Sequence, residues 1–470
     1  MSPEVRRALR PTEKCYWIAD QMSPTNIVAR VHLRGHIAVG LLDRAAAALV
    51  AEHPLLRVSI TTDAGGTNPA FIPSAGAIPI RWVNGDDVEW ERQVEQHEVR
   101  TPLDWQRGPL VRIVDVAVDS SDEAHDLLLT VSHIIADGIT ALSLLRRLVE
   151  HADRLSVVAC GDVVKSRPVV GAPGELLPAR YRGVRGMATF AASGLADLLA
   201  TTMARPRQLV PESIVGPQRR TRFVRRTLSS TQLDTLTRRC RAESVTVHGA
   251  LAAAMAMVIG PVAAQRDSGR ICIGSAINIR GELCPPVSPD EVGAYASIAQ
   301  SILRFGGHHD LWSIARQVNR SLGRRKRFGQ HLATVYAMRF LCPASVAKGS
   351  KVFGLVERHG PLNVCITNVG RYAFPARIGE WRLSGAQLVA SVSIGGFVAV
   401  VNTSHDQLFC NFLYTAGVVS DRAAQRFADG CVQTLLSAID CRTEVAVLGG
   451  AKRRTSVSDH GFLSAGAADI

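Results

Sequence analysis

The segment Ser132-His133-Ile134-Ile135-Ala136-Asp137-Gly138 sets an imidazole at the end of a β-rich run, Leu127 to Ser132. An amphipathic helix, Ile139 to Leu155, follows at once. Strand ends and the loops after them commonly display reactive groups. A histidine there, with an unperturbed pKa of about 6.5, offers a neutral imidazole near pH 7. It can take the proton of a hydroxyl or amine as that group attacks a carbonyl, the work of a general base. Asp137 is suited to fix the loop by pairing with an arginine, and Gly138 permits a tight backbone turn. His133 and Asp137 are also spaced as two metal ligands on one helix turn. The β-rich run ending at His133 argues against a helix there, so no metal centre is expected. On its own, His-x-x-x-Asp is a weak pattern in a chain with 14 histidines, and a structural histidine remains open. Among the others, His308-His309-Asp310 reads as a loop, His53 before Pro54 as structural, and His405-Asp406 as a hairpin.

Residues 26–34 read as a strand, 38–51 as a helix, Val58-Ser59-Ile60 as the start of another strand, and Leu110 to Val118 as the neighbour of Leu127 to Ser132. The rhythm breaks at Val163 to Pro178, which is rich in Pro and Gly, and again at the basic, Pro-punctuated stretch from Pro206 to Arg222. It resumes with helices at Ser229 to Glu243 and Val245 to Ile259, a strand at Ile271 to Ile279, a basic helix at Leu311 to Arg325 and a strand at Asn363 to Thr367. Three strands, Gln387 to Ile394, Phe397 to Thr403 and Gln407 to Tyr414, read as a meander before a last helix, Ser420 to Ile439. The fold class is thus α/β, of the α+β kind, with both halves mixing helices and strands. The expected organisation is a first half at 1–165, a crossover with an apolar helix at 166–222, a second half at 223–450 and a polar, disordered tail at 451–470.

Hydrophobic residues make up 47% of the 470 and charged residues 20%, which favours a globular chain over a disordered one. The formal net charge of +13 attracts polyanions. Nucleic acid is not the expected partner: there is no zinc finger, no aromatic-rich RNA-binding signature, and aromatics are only 5%. The basic runs Arg219-Arg220-x-Arg222 and Arg324-Arg325-Lys326-Arg327 read as solvated faces, with docking of coenzyme A phosphates or an acidic carrier protein as the functional reading. Ten cysteines, none in a C-x-x-C pair, read as reduced buried thiols of a cytoplasmic protein. Met1 to Asp20 lacks the apolar core of a signal peptide, and no strongly apolar run stands out as a membrane span. The nearest, Gly186 to Ala204, reads as a core or surface helix, with peripheral membrane contact as the second reading.

The motif His133 to Gly138 resembles the H-x-x-x-D-G signature of the condensation-domain and chloramphenicol acetyltransferase-like superfamily. Other stretches resemble the family in family order. Pro11 to Trp17 is similar to its opening, Glu52-His53-Pro54-Leu55-Leu56-Arg57 to its helix exit, and Gly108 to Arg112 to the strand before the active site. Ile277-Asn278-Ile279-Arg280, with Pro285-Pro286 and Val292-Gly293, is similar to the second-half arginine segment, and Thr367-Asn368-Val369-Gly370 to the late loop. Asn278 to Ala296, with no carrier or adenylation domain in the 470 residues, most resembles the stand-alone polyketide-associated acyltransferases of the phthiocerol/phthiodiolone dimycocerosyl transferase type.

The resemblance implies two chloramphenicol-acetyltransferase-like halves in a V with a channel between them. It implies an acyltransferase that moves a fatty or polyketide acyl group from acyl-CoA or an acyl carrier protein to a lipid-like or glycosidic alcohol, with the thioester as substrate and no cofactor. His133 would be the base. Asp137, Gly138 and Arg280 would support the site, Asp137 pairing with Arg280 across the halves. Ser132, Thr367 and Asn368 would line the channel. Ser132 stands where many relatives carry a second histidine. The "DFGWG" motif of many condensation domains is not recognisable, which implies the acyltransferase branch. The alternatives are amide formation, wax-ester or diacylglycerol synthesis and, from a different class, a non-catalytic module that recruits partners. The sequence names no oxyanion-hole donor.

Overall fold

The computed structural model describes residues 4–118, 123–157, 164–207, 209, 219–359 and 364–440. The first half runs β1 (Arg7–Ala8), α1 (Pro11–Asp20), β2 (Asn26–Arg34), α2 (Leu41–Glu52), β3 (Val58–Asp63), β4 (Thr67–Pro73), β5 (Ile80–Gly85), the short α3 (Glu89–Gln93), β6 (Val111–Val118), β7 (Ala124–Ser132) and α4 (Gly138–Val157). Helix α5 (Gly183–Ala204) follows. The second half runs β8 (Thr221–Leu228), α6 (Ser230–Ala242), α7 (Val247–Ala264), β9 (Gly269–Asn278), β10 (Ala296–Phe305), α8 (Leu311–Arg327), α9 (Gln330–Leu341), α10 (Val346–His359), β11 (Val364–Arg371), β12 (Arg377–Ile378), β13 (Trp381–Ala390), β14 (Phe397–Ser404), β15 (Gln407–Thr415) and α11 (Asp421–Asp440).

Two six-stranded sheets result, in the orders β12-β13-β2-β7-β6-β5 and β10-β9-β11-β14-β15-β8, beside a small β1-β4-β3 sheet. In the first half, α4 buries Leu142, Leu145, Leu148, Val149 and Ala152 at helical spacing against α2 and the sheet. In the second, α7 is apolar on all sides because α8, α11 and β9 enclose it. Helix starts follow the local chemistry: Ser229 and Gln232 form a reciprocal capping box for α6, and the Asp310 carboxylate accepts the Ser313 N–H at 2.8 Å to cap α8.

The expected meander is not formed. The strand read as Gln387 to Ile394 is β13, Trp381–Ala390, and it crosses to the first-half sheet, where it pairs antiparallel with β2. Only β14 and β15 form a hairpin, turning through His405 and Asp406, both with positive φ. The register of β13 shifts between Ser384 and Gln387, which leaves backbone groups in need of partners. Fully buried polar side chains of the other sheet supply them. The Asn402 amide donates to the Ala386 carbonyl at 2.9 Å and accepts the Leu388 N–H at 3.2 Å, and the Asn411 amide donates to the Leu388 carbonyl at 2.7 Å. A buried acceptor stripped of its donor costs about 1–3 kcal/mol. Asn411→Leu, similar in volume, is therefore expected to lower unfolding free energy by about that amount in a denaturant titration.

Strands β8 and β10 and helices α9 and α10 escaped the sequence reading. In β8 the arginines mask the strand pattern, because they point to carboxylates rather than to open solvent. Arg222 pairs with Glu95, Arg225 with Glu91 and Arg226 with Asp429. In the run Arg219-Arg220-x-Arg222 only Arg220 is an exposed, solvated residue: Arg219 is buried, with its guanidinium on the Gly395 carbonyl at 2.5 Å. Two helices, Gly183–Ala204 and Val247–Ala264, are long and apolar enough by length and composition to cross a membrane, whereas the sequence suggests no span. The second of them, α7, is mostly buried in the second-half core. The tail from Ala451 lies outside the described residues.

Candidate active site

Strand β7 runs antiparallel to β2 up to the pair Asn26–Ser132. Past that pair the Ser132 N–H reaches the Leu110 carbonyl at 3.0 Å and the His133 N–H reaches the Thr25 carbonyl at 2.8 Å, so the backbone is pinned where the sheet ends. Ile134, Ile135 and Ala136 are buried and close the turn into α4. Inside that turn His133 Nδ1 lies 2.7 Å from the Ala136 carbonyl. A carbonyl only accepts, so Nδ1 carries the proton and donates, which leaves the Nε2 lone pair as the basic position. The Tyr16 ring of α1 stacks on the imidazole, 4.0 Å between centroids and 15° off parallel, fixing its plane. Burial pushes the His133 pKa below its ordinary value, against the opposing influence of the Asp137 charge and the Ala136 carbonyl. The imidazole is thereby kept neutral at pH 7. Ser132 is buried, and its hydroxyl accepts the Ile134 N–H at 3.3 Å, a contact within the turn.

Asp137 does not hold the imidazole. Its carboxylate takes a bidentate pair from Arg280, at 2.5 and 3.0 Å, and accepts the Tyr295 N–H at 2.9 Å. It also accepts the Thr140 N–H at 3.0 Å, so the same carboxylate caps the first turn of α4. Arg280 sits in the turn after β9, donates to the Thr140 hydroxyl at 2.8 Å, and lies 4.9 Å over the Tyr295 ring. Burial opposes ionisation of Asp137, yet the Arg280 charge and hydrogen bonds, with the Thr140 and Tyr295 N–H groups, hold its carboxyl below the usual carboxylate range. Both partners are almost fully buried. This pair ties the His133 turn of the first half to the turn after β9 of the second. With both oxygens committed to donors, Asp137 is not available as a metal ligand.

Gly138 opens α4 without a positive φ, so the expected need for a special turn conformation does not hold. Space decides instead: a Cβ there would meet Leu388 Cδ1 at 2.9 Å and Val369 Cγ2 at 3.1 Å. Gly138→Val is expected to destabilise by about 1–3 kcal/mol through overpacking, measured by thermal or denaturant unfolding, and to lower turnover because the displaced helix carries the His133 turn. Thr367 and Asn368 lie on β11 beside this contact. Thr367 pairs with Val400 and, by strand alternation, shares a face with Cys365. The Asn368 side chain accepts the Gly370 N–H at 2.8 Å and so closes its own loop. The residue of that loop that reaches the motif is Val369.

The sequence reading missed Tyr16, Thr140, Tyr295 and Val369. Tyr16 lies inside the stretch Pro11 to Trp17 and Tyr295 two residues after Val292-Gly293, so the resemblance marks their neighbourhoods but not their roles. Among the other histidines, His53 is buried beside Glu52 with its pKa pushed down to about 4 by burial, a structural setting. Asp310 caps α8, and His308 and His309 stand in the loop before it.

Residues 217–379 match the family described as phthiocerol/phthiodiolone dimycocerosyl transferase C-terminus. A linear gramicidin synthase from Brevibacillus parabrevis is 26% identical over 149 residues, 30% of this chain and 2% of that protein. A plipastatin synthase from Bacillus subtilis is 31% identical over 135 residues, 27% of this chain and 5% of that protein. The chain therefore spans a small fraction of the length of these curated relatives. Polyketide synthase associated protein 5 from Mycobacterium tuberculosis superposes with a TM-score of 0.65 at 17% identity, over 93% of this chain and 98% of that one. Trichothecene 15-O-acetyltransferase from Fusarium sporotrichioides gives 0.70 at 14%, over 92% and 95%. The first condensation domain of the CDA synthetase gives 0.67 at 15%, over 93% and 96%. The likeness to these structures is one of fold: two lobes of mixed α/β structure.

Proposed function

We propose that this chain, which shares its fold with condensation domains and whose residues 217–379 match the phthiocerol/phthiodiolone dimycocerosyl transferase C-terminus family, is an acyltransferase that moves a fatty or polyketide acyl group from a thioester to an alcohol. The observation that carries the reading is the state of His133: Nδ1 is committed to the Ala136 carbonyl, Tyr16 fixes the ring plane, and burial keeps Nε2 unprotonated. In the reaction the acceptor oxygen attacks the thioester carbonyl carbon while its proton passes to His133 Nε2. The C–O bond forms, the C–S bond breaks, and the departing thiolate recovers the proton from the imidazolium. Asp137 and Arg280 touch no reacting atom in this scheme; they are positioning residues that hold the turn. The thioester is acyl-CoA or an acyl carrier protein, and the acceptor is a lipid-like or glycosidic alcohol.

Amide formation is the second reading, favoured by the stretches shared with peptide synthetases. A neutral amine already carries its lone pair, whereas an alcohol gains more from a base that takes its proton during attack. The test is free-thiol release from short- to long-chain acyl-CoA donors, alone and with a long-chain alcohol or amine. Release stimulated by the alcohol supports ester formation, and stimulation by the amine alone assigns the second reading. No release from acyl-CoA or from carrier-bound thioesters by folded protein would favour a partner-recruiting module instead.

A further inference from the structure

Helix α5 is turned inside out. The side it packs toward α9 and the end of α8 carries Gly186, Phe190, Ser193 and Asp197, and Asp197 is spent on Arg325. The opposite side carries Val184, Leu195, Leu198, Leu199 and Met203, between 53% and 87% exposed. At 3.6 residues per turn these five form one stripe along the helix. A surface helix of a globular protein ordinarily turns its charge outward and its apolar stripe inward. A contiguous exposed apolar stripe of this kind marks an interaction surface.

The C-terminal end of α5 opens on a cavity of about 500 Å3, walled in part by Arg205, Arg207, Arg266, Arg270, Arg304 and His309. Arg270 joins helix and cavity by donating to the Ala204 carbonyl at 3.4 Å. Among the described residues, Arg205, Arg207, Arg266 and Arg304 are exposed and have no carboxylate partner. The nearby carboxylate in sequence, Asp267, is exposed and not part of the cavity wall. Exposed Arg180 and Arg185 stand at the other end of the helix. A free phosphate or a polynucleotide would use the guanidiniums and leave the stripe in water. An apolar groove on another protein would use the stripe and leave the guanidiniums unmatched. A bilayer surface with anionic headgroups satisfies both.

We propose that α5 docks the protein on an anionic phospholipid surface, its aliphatic stripe in the acyl boundary and a headgroup phosphate in the arginine cavity. This does not depend on the catalytic reading. The test is co-sedimentation with vesicles of phosphatidylcholine alone and with about one third phosphatidylglycerol, using the full chain, Leu195→Glu/Leu199→Glu, and Arg205→Glu/Arg207→Glu. The wild type is expected to sediment with the anionic vesicles, at least about tenfold more strongly than with neutral ones, and each variant to lose at least about tenfold. All four residues are exposed and distant in sequence from the His133 turn, so melting temperature and thiol release on short, water-soluble substrates should be unchanged. Wild type that ignores anionic vesicles, or variants that bind as well as wild type, would overturn the proposal. So would inorganic phosphate binding without vesicle binding, or self-association that Leu195→Glu/Leu199→Glu abolishes.

Discussion

His133→Ala is expected to lower acceptor-dependent thiol release by about 10²–10⁴-fold, the usual worth of a positioned general base. Folding should be largely spared. The side chain is only half-buried, and its removal leaves one carbonyl, that of Ala136, without its donor, a cost of about 1 kcal/mol. Melting temperature and circular dichroism therefore separate a chemical loss from a structural one. The pH profile adds a signature that a structural histidine would not give. The base must be unprotonated, and burial lowers the His133 pKa below 6.5. Activity should accordingly hold as pH falls through 6.5 and decline only below it, with the acid limb of kcat/KM on the acid side of the free imidazole value. An acid limb above 6.5, or a His133→Ala variant with unaltered turnover, would remove His133 from the base's role.

The motif His133 to Gly138 was legible in the sequence because its chemistry depends on local spacing: a strand end, a short turn and a helix start are all encoded within a dozen residues. The partnership of Asp137 with Arg280 could be stated only from the family resemblance, since 143 residues separate the two. Three features were illegible for physical reasons. Gly138 looked like a turn residue, but what excludes a side chain there is the approach of Val369 and Leu388, a tertiary fact. Asp137 as a helix cap was hidden by its reading as a salt-bridge partner, and it is both. The meander failed because Gln387 to Ala390 joins the first-half sheet, and a strand's period of two states which faces it shows but not which sheet it joins. The Asn402 and Asn411 side chains that mend the resulting break have no local pattern at all.

Arg280→Met should be the most destabilising single change in the site. The guanidinium and the Asp137 carboxylate are both nearly sealed from water, so their attraction is little screened, and removing one partner strands the other. At neutral pH, about 3–5 kcal/mol of unfolding free energy is expected to be lost. Arg280→Lys keeps the charge but not the planar fork that meets both carboxylate oxygens, so an intermediate loss is expected. The sign of the pH dependence follows from Asp137, whose folded pKa is depressed. Its contribution is complete above the unfolded carboxylate value and is lost as pH falls through the folded one. The stability gap between wild type and Asp137→Asn should therefore be widest near neutrality and shrink as the solution is acidified, read from urea titrations at several pH values. Adding Asp137→Asn to Arg280→Met should recover part of the loss, because the stranded charge is then gone. In activity, the pair acts through the turn and not on substrate, so Arg280→Lys should lower kcat with KM little changed and should leave the acid limb of His133 below 6.5. A double variant no more stable than Arg280→Met alone would mean that the pair contributes through packing around Tyr295 and Thr140 rather than through charge.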